Sequence, residues 1–222
     1  YNAGLAITSG RYNTFIGSTA GDAITDGEQN VFIGDDAGSV TTSVTKAVII
    51  GQSAGADGNI TNAAIGSVLI GQAAGAALTS GAGNTAVGYQ ALTTTTTGAY
   101  NTAVGYQAAD VLPAGASSNT AIGRSALGAG NNASTDHNTC LGDEAGGGIT
   151  TGNQNTCIGS GTNPSAVGAS NQIAIGYGAT GLQDNSVVLG NTSVTAWLPP
   201  DDNGVDLGAT NYRFANLYVA DM

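Results

Sequence analysis

Few residues of this chain suggest chemistry by their type and spacing: two cysteines, one histidine, the acidic pairs Asp35-Asp36 and Asp143-Glu144, and two Tyr-Gln pairs. Cys140 and Cys157 stand 17 residues apart and could form a disulfide or help to hold a metal. His137 is the only histidine, and a zinc site takes three or four protein ligands, so no metal is expected. Asp35-Asp36 and Asp143-Glu144 could hold a cation, although adjacent carboxylates in a turn are more simply solvated charges. A glycosidase needs two carboxyls converging across a cleft, and this spacing supplies none. The glycines are not followed by the Lys-Ser or Lys-Thr of a phosphate loop. No catalytic residue and no cofactor is therefore expected. Tyr89-Gln90 and Tyr106-Gln107 are a different case, because an exposed aromatic beside an amide could grip a sugar ring. The plainer reading is a surface ladder of like residues.

All these residues sit on one repeating frame. A short motif, Asn-x-small/apolar-Ile/Val/Leu-Gly, closes on Gly17, Gly34, Gly88, Gly105, Gly123, Gly142 and Gly159. Its asparagines are Asn13, Asn30, Asn84, Asn101, Asn119, Asn138 and Asn155. Looser copies end at Gly51, Gly71, Gly176 and Gly190. The steps between successive glycines are 17, 17, 20, 17, 17, 18, 19, 17, 17 and 14 residues. Such a period is the signature of stacked coils, an all-β parallel solenoid or β-roll over residues 1–195. With the glycine as position zero, position −1 is always Ile, Val or Leu, and position −3 is Thr or aliphatic. These two share one face of a strand and position −2 takes the other.

Both faces are largely apolar, so one fills the coil and the other needs a cover. The simplest cover is another copy of the same chain, so self-association about a symmetry axis is implied. The remaining residues of each repeat predict a second short strand between two glycine corners. Eleven coils at about 4.8 Å each would make a rod of roughly 50 Å. The asparagine at −4 is expected to stack as a ladder at one corner, a poor place for a bulky glycan. By the same stacking Cys140 and Cys157 lie one above the other, and small-residue packing is the expectation for them. Extra residues at 55–64, 109–118 and 128–137 are expected to protrude as loops.

Composition removes several partners. Charged residues are 9% of the chain and the net charge is −11. Nucleic-acid binding needs clustered Lys and Arg, and only Arg11, Lys46, Arg124 and Arg213 are present. No run of about 18 apolar residues exists, so no helical membrane insertion is expected. After Gly190 the repeat fails, and Trp197, Tyr212, Phe214 and Tyr218 gather near Pro199-Pro200. Residues 196–222 are expected to be a distinct cap or connector. Tyr1-Asn2-Ala3-Gly4 matches the residues after a repeat glycine, which suggests further repeats upstream.

The motif Asn-Thr-Ala-Val-Gly-Tyr-Gln-Ala at 84–91 and 101–108 resembles repeats of bacteriophage tail fibres and related virion appendages. Gln172 to Gly176 and Asn185 to Gly190 are also similar to the head repeats of trimeric autotransporter adhesins. Val205-Asp206-Leu207-Gly208 with Tyr212 to Tyr218 resembles the segment before the intramolecular chaperone of tail fibres and tailspikes. The resemblance implies a homotrimeric fibre on a virion or other extracellular surface. It would meet other virion proteins at its base and a host receptor, a glycan or surface protein, along its length. The adhesin head is the alternative it leaves open, and a tailspike polysaccharide depolymerase is the third.

Overall fold

The computed structural model describes residues 2–129, 135–198, 211, 215 and 216. The chain divides into two compact units, Tyr1–Asn191 and Thr192–Met222. The first is a β-solenoid. Its strands are β1 (Thr14–Ile16), β2 (Val31–Ile33), β3 (Val48–Ile50), β4 (Val68–Ile70), β5 (Thr85–Val87), β6 (Thr102–Val104), β7 (Thr120–Ile122), β8 (Thr139–Leu141), β9 (Thr156–Ile158), β10 (Gln172–Ile175) and β11 (Ser186–Leu189). They form a single parallel sheet in sequence order. Register places like on like: Phe15 beside Phe32, Ile33 beside Ile50, Ala86 beside Ala103 and Cys140 beside Cys157.

The second strand expected in each coil is absent: among the described residues every coil has one strand and the rest is turn. The reason lies in the backbone. One coil carries positive φ at Gln29 (59°), Gly34 (135°), Asp36 (57°) and Gly38 (59°), which are positions −5, 0, +2 and +4. The same positions recur at Tyr100, Gly105, Gln107 and Ala109. Between Gly21 and Gln29, and between Gly75 and Gly83, no φ is positive. The chain nonetheless closes a turn there, Ile24 N donating to Gly21 O (3.2 Å) and Leu78 N to Gly75 O (3.0 Å), and that turn takes the residues of the expected second strand. The turns nevertheless stack, and their amides bond coil to coil, as in Thr25 N to Thr42 O (2.9 Å) and Thr79 N to Thr96 O (2.8 Å).

The strand faces sort cleanly. Position −2 points inward: Phe32, Ile49, Leu69, Ala86, Ala103, Ala121 and Cys140 are fully buried. The alanines at +3, from Ala20 to Ala145, line the opposite wall of the same core. Positions −1 and −3 point outward. The repeat glycine is explained by the next coil. At Gly88 φ is 138°, and a Cβ there would stand 2.2 Å from the carbonyl oxygen of Gly105.

The core keeps its volume by exchange within a coil. Where −2 is large, +4 is glycine, because a Cβ on Gly38 would lie 2.8 Å from the Phe32 ring and one on Gly75 would lie 2.5 Å from Leu69. Where −2 is Ala86 or Ala121, position +4 is Leu92 or Leu127, and both leucines are fully buried. These leucines hold φ of 56° and 51°. A left-handed conformation costs about 1–2 kcal/mol in a residue with a Cβ, and burying the leucine returns about 2–3 kcal/mol, so packing wins.

Two of the expected loops do more than protrude. The first includes a 3-10 turn, Asn62–Ala64, and sends Ile60 and Ala64 into the core. The second does the same with Leu112 and Ala116. Apolar side chains inside these insertions account for the difference, since burying them beats leaving them in water. The third insertion falls partly outside the described residues. So do Tyr212, Phe214 and Tyr218 of the expected C-terminal segment. Trp197 is described and is 67% exposed. Among the described residues no helix is long and apolar enough to cross a membrane.

Candidate functional surface

The asparagine ladder is inside, and it closes its own hydrogen bonds. The Oδ1 of Asn84 accepts from the backbone N of Asn101 (2.9 Å) and from its Nδ2 (3.2 Å). The remaining Nδ2 hydrogen of Asn101 goes to the carbonyl of Ala116 (2.8 Å). Asn119, Asn138 and Asn155 repeat the pattern, and the backbone N of Gln172 donates the last bond to Asn155 Oδ1 (3.1 Å). Asn30, Asn84, Asn101, Asn119, Asn138 and Asn155 are all buried. They hold the coils and are shut off from any ligand or glycan.

Tyr89 and Tyr106, at +1, stack outside the coil as the spacing predicts. Their ring centroids are 5.0 Å apart with planes 12° from parallel. The next residues extend the ladder, with Gln107 Nε2 donating to Gln90 Oε1 at 3.0 Å. Each tyrosine therefore spends one ring face on the other. What the pair offers a ligand is ring edges, two hydroxyls and the outer faces of the stack, a narrower platform than two free rings.

Asp36 and the Asp143-Glu144 pair are engaged by side chains of the neighbouring coil. The Thr19 hydroxyl donates to Asp36 in a very short bond. Asp143 and Glu144 both receive Arg124 from the preceding coil, with Nε to Asp143 Oδ1 at 2.7 Å and Nη2 to Glu144 Oε1 at 2.9 Å. Arg124 occupies +1, so its charge comes to lie over theirs by coil stacking. The sequence reading missed this pair, although equal offsets from Gly123 and Gly142 would have revealed it. Among the described residues no group of three or more His, Cys, Asp and Glu gathers as a metal site.

Cys140 and Cys157 are free and buried. A hydrogen bond with Cys157 and burial hold the Cys140 thiol well above the ordinary range. Such a thiol is packing material and a poor nucleophile.

Two surfaces remain. One is the outer face of the sheet. Ile16 is 58% exposed and Leu141 44%, and the other −1 aliphatics are half-buried or more open. The other is a groove of about 480 Å³ across the turns, lined by Asp110, Ser125, Gly128, Glu144, Gly147, Gly161 and Asn163. Burial raises the Asp110 carboxyl above its usual value. This groove was not visible in the sequence, because residues at +2, +4 and +5 of different coils build it. No family model and no curated protein matches the chain.

Proposed function

We propose that the chain is a structural and adhesive fibre segment, a homotrimeric β-solenoid shaft or head of a phage tail fibre that contributes to attachment to the host surface. The observation that carries this reading is the outward stripe of branched aliphatics at −1, one per coil from Ile16 to Leu189. Monomeric proteins seldom expose so long an apolar surface. Covering what remains exposed on each would gain on the order of 1 kcal/mol per residue. Summed over the coils that is comparable to the roughly 4–15 kcal/mol cost of association. A threefold axis along the stripe lets every chain present the same face and be covered by its neighbours. A repetitive rod also suits a repetitive receptor, since many weak contacts add up.

Sedimentation of the chain should give three times the chain mass. Ile33→Asp together with Ile50→Asp, both outward on the sheet, should give a folded monomer with unchanged β-sheet circular dichroism. A monomeric wild type would overturn the trimer. Binding of the labelled trimer to intact bacterial cells tests the adhesive half, and its absence from every candidate host would remove it.

A further inference from the structure

Most glycines of the solenoid are required by its backbone, but Gly128 and Gly147 are not. Both occupy position +5, where other coils carry Asp22, Ser39, Ala56, Ala76, Thr93 and Asp110. Neither holds a positive φ, whereas the four positions described above do in coil after coil. A Cβ on Gly128 would meet nothing nearer than the Ser125 carbonyl oxygen at 3.1 Å, and one on Gly147 nothing nearer than the Glu144 carbonyl at 3.1 Å. Thr93 shows that the fold accepts a side chain here, its hydroxyl donating to the corresponding carbonyl of Gln90 at 2.6 Å. What the two glycines accomplish is space: they form the floor of the 480 Å³ groove.

The walls of that groove are polar and converge. Asp110 Oδ1 would lie 3.4 Å from a Cβ on Gly128, so the carboxylate borders the floor. Glu144 also lines the groove and is held by Arg124, Nη2 to Oε1 at 2.9 Å. Asn163 is fixed by accepting from the Gly148 amide at 2.7 Å, and the Ser125 hydroxyl is a further partner. We propose that this groove is a binding subsite for one neutral saccharide unit, with the glycine floor receiving the flat of the sugar ring and Asp110, Glu144, Ser125 and Asn163 bonding its hydroxyls. The proposal rests on the adhesive reading above and gives it a ligand class.

Other occupants fit less well. Two carboxylates on a chain of net charge −11 repel an acidic sugar or phosphate. A hard cation needs six to eight oxygens at about 2.3–2.6 Å, and among the described residues no group of three or more His, Cys, Asp and Glu gathers to supply them. An apolar ligand would find no apolar side chain among the lining residues. Vicinal hydroxyls, by contrast, match carboxylate and amide acceptors in a concave polar site.

The test uses the full chain on immobilised neutral hexose and N-acetylhexosamine oligosaccharides, with sialylated and sulfated oligosaccharides and a basic peptide as parallel arms. At least one neutral oligosaccharide should be retained. Gly147→Gln and Asp110→Asn should each weaken that retention at least tenfold. Gly128→Ala and Gly147→Ala should leave the unfolding midpoint unchanged, while Gly88→Ala lowers it. Retention of no neutral probe, retention of charged probes or the peptide alone, or neutral binding that survives both groove substitutions would overturn the subsite. A midpoint that falls for Gly147→Ala as far as for Gly88→Ala would do the same, since the glycine would then be structural. If the wild type and Gly147→Gln bind host cells equally, the subsite fails and the adhesive reading stands. If neither binds, it is the adhesive reading that fails.

Discussion

Single residues here are judged by what the neighbouring coil permits. Asn101 is bonded on both sides, through Nδ2 to Asn84 and Ala116 and through Oδ1 to the N and Nδ2 of Asn119. Removing it in Asn101→Ala strands several buried partners, each worth about 1 kcal/mol net. A loss of about 3 kcal/mol is expected in denaturant unfolding. Cys140 gives a prediction with a pH sign. Its thiol is held above the ordinary range in the folded protein. The protonated form is therefore favoured by folding, and its stabilisation is full below the unfolded thiol pKa. It is lost as pH rises toward the higher folded value. The hydrogen bond that raises Cys140 lowers Cys157, so labelling is read site by site. Iodoacetamide should modify Cys140 at pH 8 far more slowly in the native than in the denatured protein by peptide mass mapping, and equal rates would contradict the burial.

The element of this molecule is the coil, and each coil balances its own volume. Leu127 fills the space that Ala121 leaves, as Leu92 does for Ala86. Leu127→Gly alone should cost about 3–5 kcal/mol through the cavity it opens. Adding Ala121→Leu should recover much of it, because Leu69 with Gly75 already uses that combination. A thermal melt of the two variants decides this. The coil was legible in the sequence because glycine, asparagine and the −1 aliphatics repeat one residue type at one offset. The second strand was misread because the glycine at +4 opens a turn, closed by Ile24 N on Gly21 O and Leu78 N on Gly75 O, that takes up the short Ala23-Ile24-Thr25 stretch. The Tyr89–Tyr106 stack followed from equal offsets, and so could have the Arg124 pair. The groove was not legible, since Asp110, Glu144 and Asn163 come from three coils at three different offsets.

At the scale of the whole molecule the solenoid joins each coil only to the next. Its stability is thus a sum of coil terms and coil-to-coil terms. The apolar core is continuous from Ala20 to Cys157. The polar ladder is not. Asn30 Oδ1 accepts from the backbone N of Ala47 at 2.9 Å, and Ala47 has no side-chain amide to continue the ladder. Ser67 bonds to Ala64 and Gly81 instead, and the ladder resumes at Asn84. The same interval holds the longest step of the repeat, 20 residues from Gly51 to Gly71. Amide hydrogen exchange should therefore find the coils before Ala47 opening at lower free energy than those after Asn84. If the chain serves as the fibre proposed above, that gap is a yield point. Pulled by its ends in an optical trap, the chain should release its first coils in an early, separate step. The remainder should stay wound until a higher force, so that tension spends itself at one end before it reaches the coils that carry Asp110 and Glu144.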